Sequence, residues 1–387
     1  MSKKNKQGFE TRAIHAGQKA DPATGAVMMP IYTSSTYEQE SPGVHKGYDY
    51  SRSANPTRKA FEECIASLEN GVAGFGFSSG VAAISACVEL LSPGDHVIAM
   101  NDLYGGTVRL FNEIKTISQG IEVTYVDMTN MDNVVAAKTD KTKMIFVETP
   151  TNPLLRVVDL SAIADFAKAE DILSVCDNTF ASPYVQQPLD HGIDIVLHSA
   201  TKYLGGHSDL IAGALVIGKK DEALIARMAN IVNSLGPITG AFDSYLILRS
   251  LKTLAIRMER HNANALALAK HFEGHKHIEA IIYPGLESHP QHALATKQMN
   301  GFGGIISMNI KGGLEKSTTF LEKTKIFALA ESLGGVESLI EHPALMTHAS
   351  LPKERREAIG ITDGLVRLSV GLESLDDLIE DIEQALV

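Results

Sequence analysis

Asp177 and Lys202 each stand just behind a short β-rich run, Ile172–Cys176 (ILSVC) and Asp194–His198 (DIVLH), one crossover apart. A lysine that is to attack a carbonyl and form an imine must hold its amine partly deprotonated, which burial near other positive charge achieves. A pyridine cofactor at the same place would need a carboxylate to keep its ring nitrogen protonated, and Asp177 is the residue available. Around Lys202 the segment Ser199-Ala200-Thr201-Lys202-Tyr203 is followed by Gly205, Gly206 and His207, small or hydroxylic residues that let a phosphate approach closely. A lysine behind a strand is ordinarily a solvated surface residue. The neighbourhood is what sets this one apart.

Other signatures nearly match. Gly76-Phe77-Ser78-Ser79-Gly80 is a literal G-x-S-x-G between the apolar run VAGFGF and the helical run VAAISACVELL, so a serine hydrolase acting through Ser78 is one reading. The same turn at a helix start is also an anion site, because it exposes backbone N–H groups and hydroxyls. Gly213 to Lys219 resembles a P-loop, but its middle residues read as a strand and Lys220 replaces the Ser or Thr that would bind magnesium. Gly74-x-Gly76 lacks the third glycine of a dinucleotide fingerprint. His275 and His277 flank Lys276 in a polar segment that reads as a solvated turn, and no metal site is expected.

The elements that must position these residues form an alternating series. The runs His96–Met100, Glu122–Val126, Lys143–Glu148, Ile172–Cys176 and Asp194–His198 alternate with segments of helical period, which predicts an α/β fold around a mostly parallel sheet covered on both faces. Ligands of such sheets collect beyond the carboxyl ends of the strands. A helix is predicted from Thr57 to Leu68. A long helical stretch from Ala241 to about Phe272 leads into a smaller α+β domain with strands Gly304–Ile310 and Leu365–Val370. Residues 1–56, with Pro22, Pro30, Pro42 and Pro56, read as an arm too long to be a loop inside a compact domain. The expected division is an arm at 1–56, a cofactor domain at 57–245 and a C-terminal domain at 246–387.

Composition narrows the function classes. The formal net charge of −11 argues against nucleic acid or an anionic membrane as partner, since the only basic cluster is Lys3-Lys4-Asn5-Lys6. With 44% hydrophobic and 21% charged residues the chain is of ordinary globular type. The three cysteines, Cys64, Cys87 and Cys176, offer neither a disulfide framework nor a zinc pattern, and a cytoplasmic setting is expected. Gln7 to Arg12 (QGFETR) is not the apolar core of a secretory signal. The apolar segment Val81–Leu91 is too short to cross a membrane.

These residues resemble the pyridoxal-phosphate enzymes of Cys/Met metabolism, the family of cystathionine γ-synthase, cystathionine γ-lyase, cystathionine β-lyase and methionine γ-lyase. The resemblance runs from about Thr11 to the C-terminus. It is carried by Tyr50-Ser51-Arg52 with Asn55-Pro56-Thr57-Arg58, Ser78-Ser79-Gly80, Tyr104-Gly105-Gly106-Thr107 and Glu148-Thr149-Pro150-Thr151-Asn152-Pro153. Downstream it continues through Asp177-Asn178-Thr179, Ser199 to Tyr203, Ala330-Glu331-Ser332-Leu333-Gly334-Gly335 and Arg367-Leu368-Ser369-Val370-Gly371. The resemblance implies the aminotransferase-like fold (fold type I) and pyridoxal 5'-phosphate as cofactor. Lys202 would be the imine-forming lysine and proton shuttle, and Asp177 the pyridinium partner. Tyr104 would stack on the ring and act in catalysis, and Ser79, Gly80, Val81, Thr179, Ser199 and Thr201 would be further cofactor contacts. Tyr50 and Arg52 would reach a neighbouring subunit's phosphate site, which gives the arm its reason and implies a homotetramer made of two dimers. Arg367 would clamp the substrate carboxylate with Asn152 and Ser332 nearby.

The family reactions share one framework. Lys202 removes the α-proton, loss of a β-substituent gives β-elimination, and a second proton removal at Cβ allows a γ-substituent to leave. Gly106 stands where methionine γ-lyases resemble one another in having cysteine, so that activity is disfavoured. Glu331, Asp49 and Arg109 suit a sulfur amino acid with a distal amino-acid head, such as cystathionine. The sequence reading is cleavage of cystathionine by γ-elimination to cysteine, 2-oxobutyrate and ammonia, with the γ-synthase and β-lyase reactions as alternatives.

Overall fold

Asn55 starts the helix Pro56–Leu68: its side chain accepts the amides of Thr57 (2.9 Å) and Arg58 (3.2 Å), and Pro56 needs no partner at the first helical position. The helix buries Phe61, Cys64, Ile65 and Leu68, and the chain then enters a large sheet. This computed structural model describes residues 7–218, 221–349 and 352–387. The basic run Lys3 to Lys6, Lys219 and Lys220 lie outside the described residues.

Seven strands form the large sheet: β1 (Ala73–Phe77), β2 (His96–Met100), β3 (Glu122–Val126), β4 (Thr142–Glu148), β5 (Leu173–Asp177), β6 (Ile195–Ser199) and β7 (Gly213–Ile217). Their order is β1-β7-β6-β5-β4-β2-β3. The pairs from β6 across to β3 are parallel, and β7 runs antiparallel to both its neighbours. β2 and β3 coincide with the runs read from sequence, β4 begins one residue earlier, and β5 and β6 are each displaced one residue toward the C-terminus. Successive side chains of β7 serve two cores, because strand residues alternate between faces. Leu215 and Ile217 join the core with Met228 and Val232 of helix Glu222–Leu235, whereas Ala214 and Val216 join Phe61, Ile65, Leu248 and Leu251.

The second sheet holds β8 (Ile278–Ile282), β9 (Ile305–Ile310), β10 (Ala328–Leu329), β11 (Leu339–Glu341) and β12 (Leu365–Ser369) in the order β10-β11-β12-β9-β8. Helices Leu254–Phe272, Gly313–Lys323 and Leu375–Ala385 pack on it through Leu268, Phe272, Phe320, Leu378 and Ile382.

Two features differ from the sequence reading. A short helix, Phe9–His15, lies within the N-terminal arm, too brief to register as a period; it docks on helix Pro56–Leu68 through Arg12, which donates to Ser67 O and to Asn70 Oδ1 (3.0 Å). The stretch from Ala241 is two helices, Ala241–Leu251 and Leu254–Phe272, because the Ser250 carbonyl turns to the Thr253 amide (3.0 Å) and the Arg257 guanidinium (3.1 Å). Among the described residues no helix is long and apolar enough to cross a membrane.

Candidate active site

Three strands end at one place. Glu148 closes β4, Asp177 closes β5 directly opposite it, and Ser199 closes β6. Facing them from the second sheet is β12 with Arg367, whose cross-strand neighbour on β11 is Glu341. Between the two lies a cavity of about 260 Å³.

The turn after β1 delivers Ser79 and Gly80 to this cavity. Ser79 caps helix Gly80–Val88 by accepting the Ala82 amide (3.0 Å), so the first-turn N–H groups and their partial positive charge face the end of β6. Only glycine fits at 80, since a Cβ there would stand 2.9 Å from the Ser199 Cβ. Val81, Ser199 and Thr201 complete this end. Ser78 is exposed outside the cavity, and no histidine hydrogen-bonds to it among the described residues. The G-x-S-x-G sequence thus serves the helix start rather than a nucleophile elbow.

Lys202 donates to Ser332 Oγ (2.7 Å). Burial, reinforced by the positive charge of Arg367 and opposed by Glu341 and Glu331, lowers its amine to about 8. The next residue is locked: the Tyr203 carbonyl accepts from Arg257 (2.7 Å) and its hydroxyl from the Gly304 amide (3.1 Å). Asp177 accepts both the amide (3.0 Å) and the hydroxyl (2.5 Å) of Thr179, yet burial still raises its carboxyl above the usual range.

Arg367 is fully buried. Its Nη1 meets Glu341 Oε1 (2.9 Å) and Asn152 Oδ1 (2.9 Å), and its Nη2 donates to the Ser332 carbonyl (2.8 Å). Ser332 holds both contacts from a backbone with φ of +96°, a conformation unusual for a residue with a side chain. The Arg367 Nε has no hydrogen-bond partner among the described residues. Glu331 lines the same cavity. Tyr104 stands at the mouth, 40% exposed, with its ring folded back over Gly106, where a Cβ would stand 2.3 Å from Tyr104 Cε1.

Four of the site residues implied by the family resemblance stand outside this cavity in the single chain. The Arg52 guanidinium lies over the Tyr50 ring at 5.6 Å, and both residues are exposed. Asp49 accepts the Tyr50 amide (2.7 Å). Arg109 lines a separate cavity of about 400 Å³ with Arg355, and Thr347 borders both cavities. Sequence reasoning did not single out Glu148, Glu341 or Thr347. Glu148 lay within a quoted motif, whereas Glu341 is visible only once the β11–β12 register is known. His207 bonds the Gly205 carbonyl (2.8 Å) and does not line the cavity. Among the described residues no His, Cys, Asp or Glu cluster could hold a metal ion.

The donor set suits one kind of ligand: a buried amine of lowered proton affinity, a carboxylate one strand away, and a helix start ringed with hydroxyls where Gly80 leaves room for an anion. A doubly wound domain with that set, closed by a smaller sheet bearing an arginine, defines a pyridoxal-phosphate enzyme of aminotransferase-like fold. The chain belongs to the Cys/Met metabolism PLP-dependent enzyme family, whose profile matches residues 10–387. It is similar to cystathionine β-lyase of Coxiella burnetii, at 56% identity over 98% of this chain and 98% of that protein. It is also similar to cystathionine γ-lyase of Dictyostelium discoideum, at 51% identity over 100% of this chain and 99% of that protein. The crystal structure of cystathionine γ-lyase from Lactobacillus plantarum superposes with a TM-score of 0.95, at 48% identity and 98% coverage of both chains. The protein is therefore a pyridoxal-phosphate-dependent enzyme of the cystathionine lyase and synthase group.

Proposed function

We propose that this enzyme cleaves cystathionine at the Cγ–S bond, giving cysteine, 2-oxobutyrate and ammonia with consumption of one water. The observation that carries the reading is the Lys202 amine, held among the described residues by one side-chain hydrogen bond, to Ser332, on a flexible four-carbon stem. γ-Elimination asks one base to serve two adjacent carbons in turn, and a lysine so tethered has the reach.

The roles follow from position. Asp177 would pair with the cofactor's ring nitrogen, and Gly80, Val81, Ser199 and Thr201 would hold its phosphate at the helix start. Tyr104 would cover the ring face from the mouth. Bound at this site, pyridoxal phosphate supplies an electron sink that makes protons on the substrate's α-carbon removable. Arg367 would take the substrate carboxylate, its fork oriented by Glu341, Asn152 and the Ser332 carbonyl. Lys202 would take the proton from Cα, give it up before taking the next from Cβ, and pass that second proton to the departing thiolate. Glu331 would meet the distal ammonium of the substrate.

The exposed Tyr50–Arg52 pair and the half-buried Asp49, all clear of the cavity in one chain, are read as completing the site of a neighbouring subunit, and Arg109 as serving the distal head from the adjoining cavity. On this reading the arm, residues 1–56, makes the functional unit at least a dimer, and a tetramer of two dimers is the proposed assembly. The cofactor domain at 57–245 and the C-terminal domain at 246–387 then share one site.

β-Elimination of the same substrate, giving homocysteine, pyruvate and ammonia, is the second reading, favoured by the 56% identity to a protein named cystathionine β-lyase. The two are separated by supplying L-cystathionine to the purified enzyme and identifying the products. Cysteine with 2-oxobutyrate supports γ-elimination, and homocysteine with pyruvate overturns it. Formation of cystathionine from an O-acylhomoserine and cysteine, without cleavage activity, would identify a synthase.

A further inference from the structure

Glu148 is a buried carboxylate, 4% exposed, at the carboxyl end of β4. No lysine, arginine or histidine pairs with it among the described residues. Its register neighbour on β5 is a second buried carboxylate, Asp177. Burial and that neighbouring charge both push its carboxyl well above the usual range, so this is a costly place for an acid. What the carboxylate receives in return is specific. Oε2 accepts the Tyr104 amide (3.0 Å) and Oε1 accepts the Asn152 amide (3.0 Å). The two amides come from separate segments, one following β2 and one following β4. Tyr104 carries the ring at the cavity mouth, and the side chain of Asn152 bonds Arg367.

We propose that Glu148 is a positioning residue: a two-oxygen clasp that sets Tyr104 over the cofactor ring and Asn152 against the carboxylate-binding arginine, holding both halves of the site in one register. The inference rests on the roles given above to Tyr104 and Asn152. An apolar residue of similar size would fill the space without satisfying either amide. A glutamine would satisfy one amide and turn its NH2 toward the other.

The test is a pair of double-mutant cycles, because a residue acting through a partner loses its effect when the partner's side chain is gone. In the first, Glu148→Gln is expected to raise the KM for the amino-acid substrate about tenfold, and less than about twofold in an Asn152→Ala background, where the backbone amide persists but has nothing to place. In the second, Glu148→Gln is expected to weaken pyridoxal phosphate binding to the apoprotein about tenfold, read by absorbance titration and by the visible circular dichroism of the bound cofactor. That loss is expected to shrink in a Tyr104→Ala background. Additive effects in both cycles, or unchanged KM and cofactor affinity in Glu148→Gln, overturn the clasp. Unchanged KM in Asn152→Ala alone overturns instead the role given to Asn152. If Glu148→Gln does not fold, Glu148→Asp, which reaches one amide at most, is carried through the same cycles with the same criteria.

Discussion

The Lys202 amine donates to Ser332 Oγ across 2.7 Å, tying the lysine behind β6 to the segment that follows β10 in the second sheet. The same serine offers its carbonyl to Arg367, so base and carboxylate-binding residue are indexed to one point on the backbone. Ser332→Ala removes the hydroxyl and keeps the carbonyl. One hydrogen bond contributes about 0.5–1.5 kcal/mol, so kcat is expected to fall by about two- to tenfold with KM little changed. Steady-state kinetics on the variant check this split.

The lowered proton affinity of Lys202 has a direct kinetic consequence. Its amine attacks the cofactor aldehyde only when unprotonated, so the rate of pyridoxal phosphate loading into apoenzyme should rise with pH and level off above about 8. Below that point it should fall about tenfold per pH unit. Because the Arg367 charge contributes to the lowering, Arg367→Leu should move the plateau to higher pH. Stopped-flow absorbance across pH 6 to 10 reads both.

Arg367→Lys keeps the charge but loses the fork that meets Glu341, Asn152 and the Ser332 carbonyl together. Charged hydrogen bonds contribute about 1.5–3 kcal/mol, so KM should rise about 10- to 150-fold. The thermal midpoint should fall less than in Arg367→Ala, which strands Glu341 as a buried unpaired charge. Calorimetry beside kinetics separates the two effects.

Behind the site, Glu69 Oε1 meets His198 Nε2 (2.5 Å) and accepts from Asn178 Nδ2 (2.9 Å), with Glu69 and His198 essentially inaccessible. Asn178 also bonds the Gln186 carbonyl (2.8 Å), extending the network away from Asp177. Glu69→Ala takes the partner from buried His198 and one of two acceptors from Asn178 Nδ2, and should cost on the order of 3 kcal/mol. Denaturant unfolding of the holoenzyme would register it as a lower midpoint with an unchanged slope.

Legibility of the site in the sequence followed physical range. β2 could be read to the residue because a strand buried on both faces is a nearly unbroken apolar run between polar turns, and β3 because exposed and half-buried side chains alternate along this edge strand. Lys202 and Asp177 were visible because chemistry at strand ends needs few residue types. β7 could be read as a strand, but not as the antiparallel insertion between β1 and β6, since nothing in GALVI encodes its neighbours. Glu341 was silent for the same reason: its pairing with Arg367 exists only through the register of strands separated by a long connection. Tyr50, Arg52 and Asp49 became candidates through resemblance alone, and the single chain leaves them clear of the cavity.

In the proposed reaction one lysine serves two adjacent carbons, and hydrogen exchange tests that most directly. L-2-Aminobutyrate has no group to eliminate, so incubation with holoenzyme in D2O isolates the proton transfers, followed by NMR. Exchange at both Cα and Cβ, with both lost in Lys202→Ala, is the predicted result. Exchange confined to Cα in the wild type would contradict γ-elimination and leave the enzyme as a β-lyase.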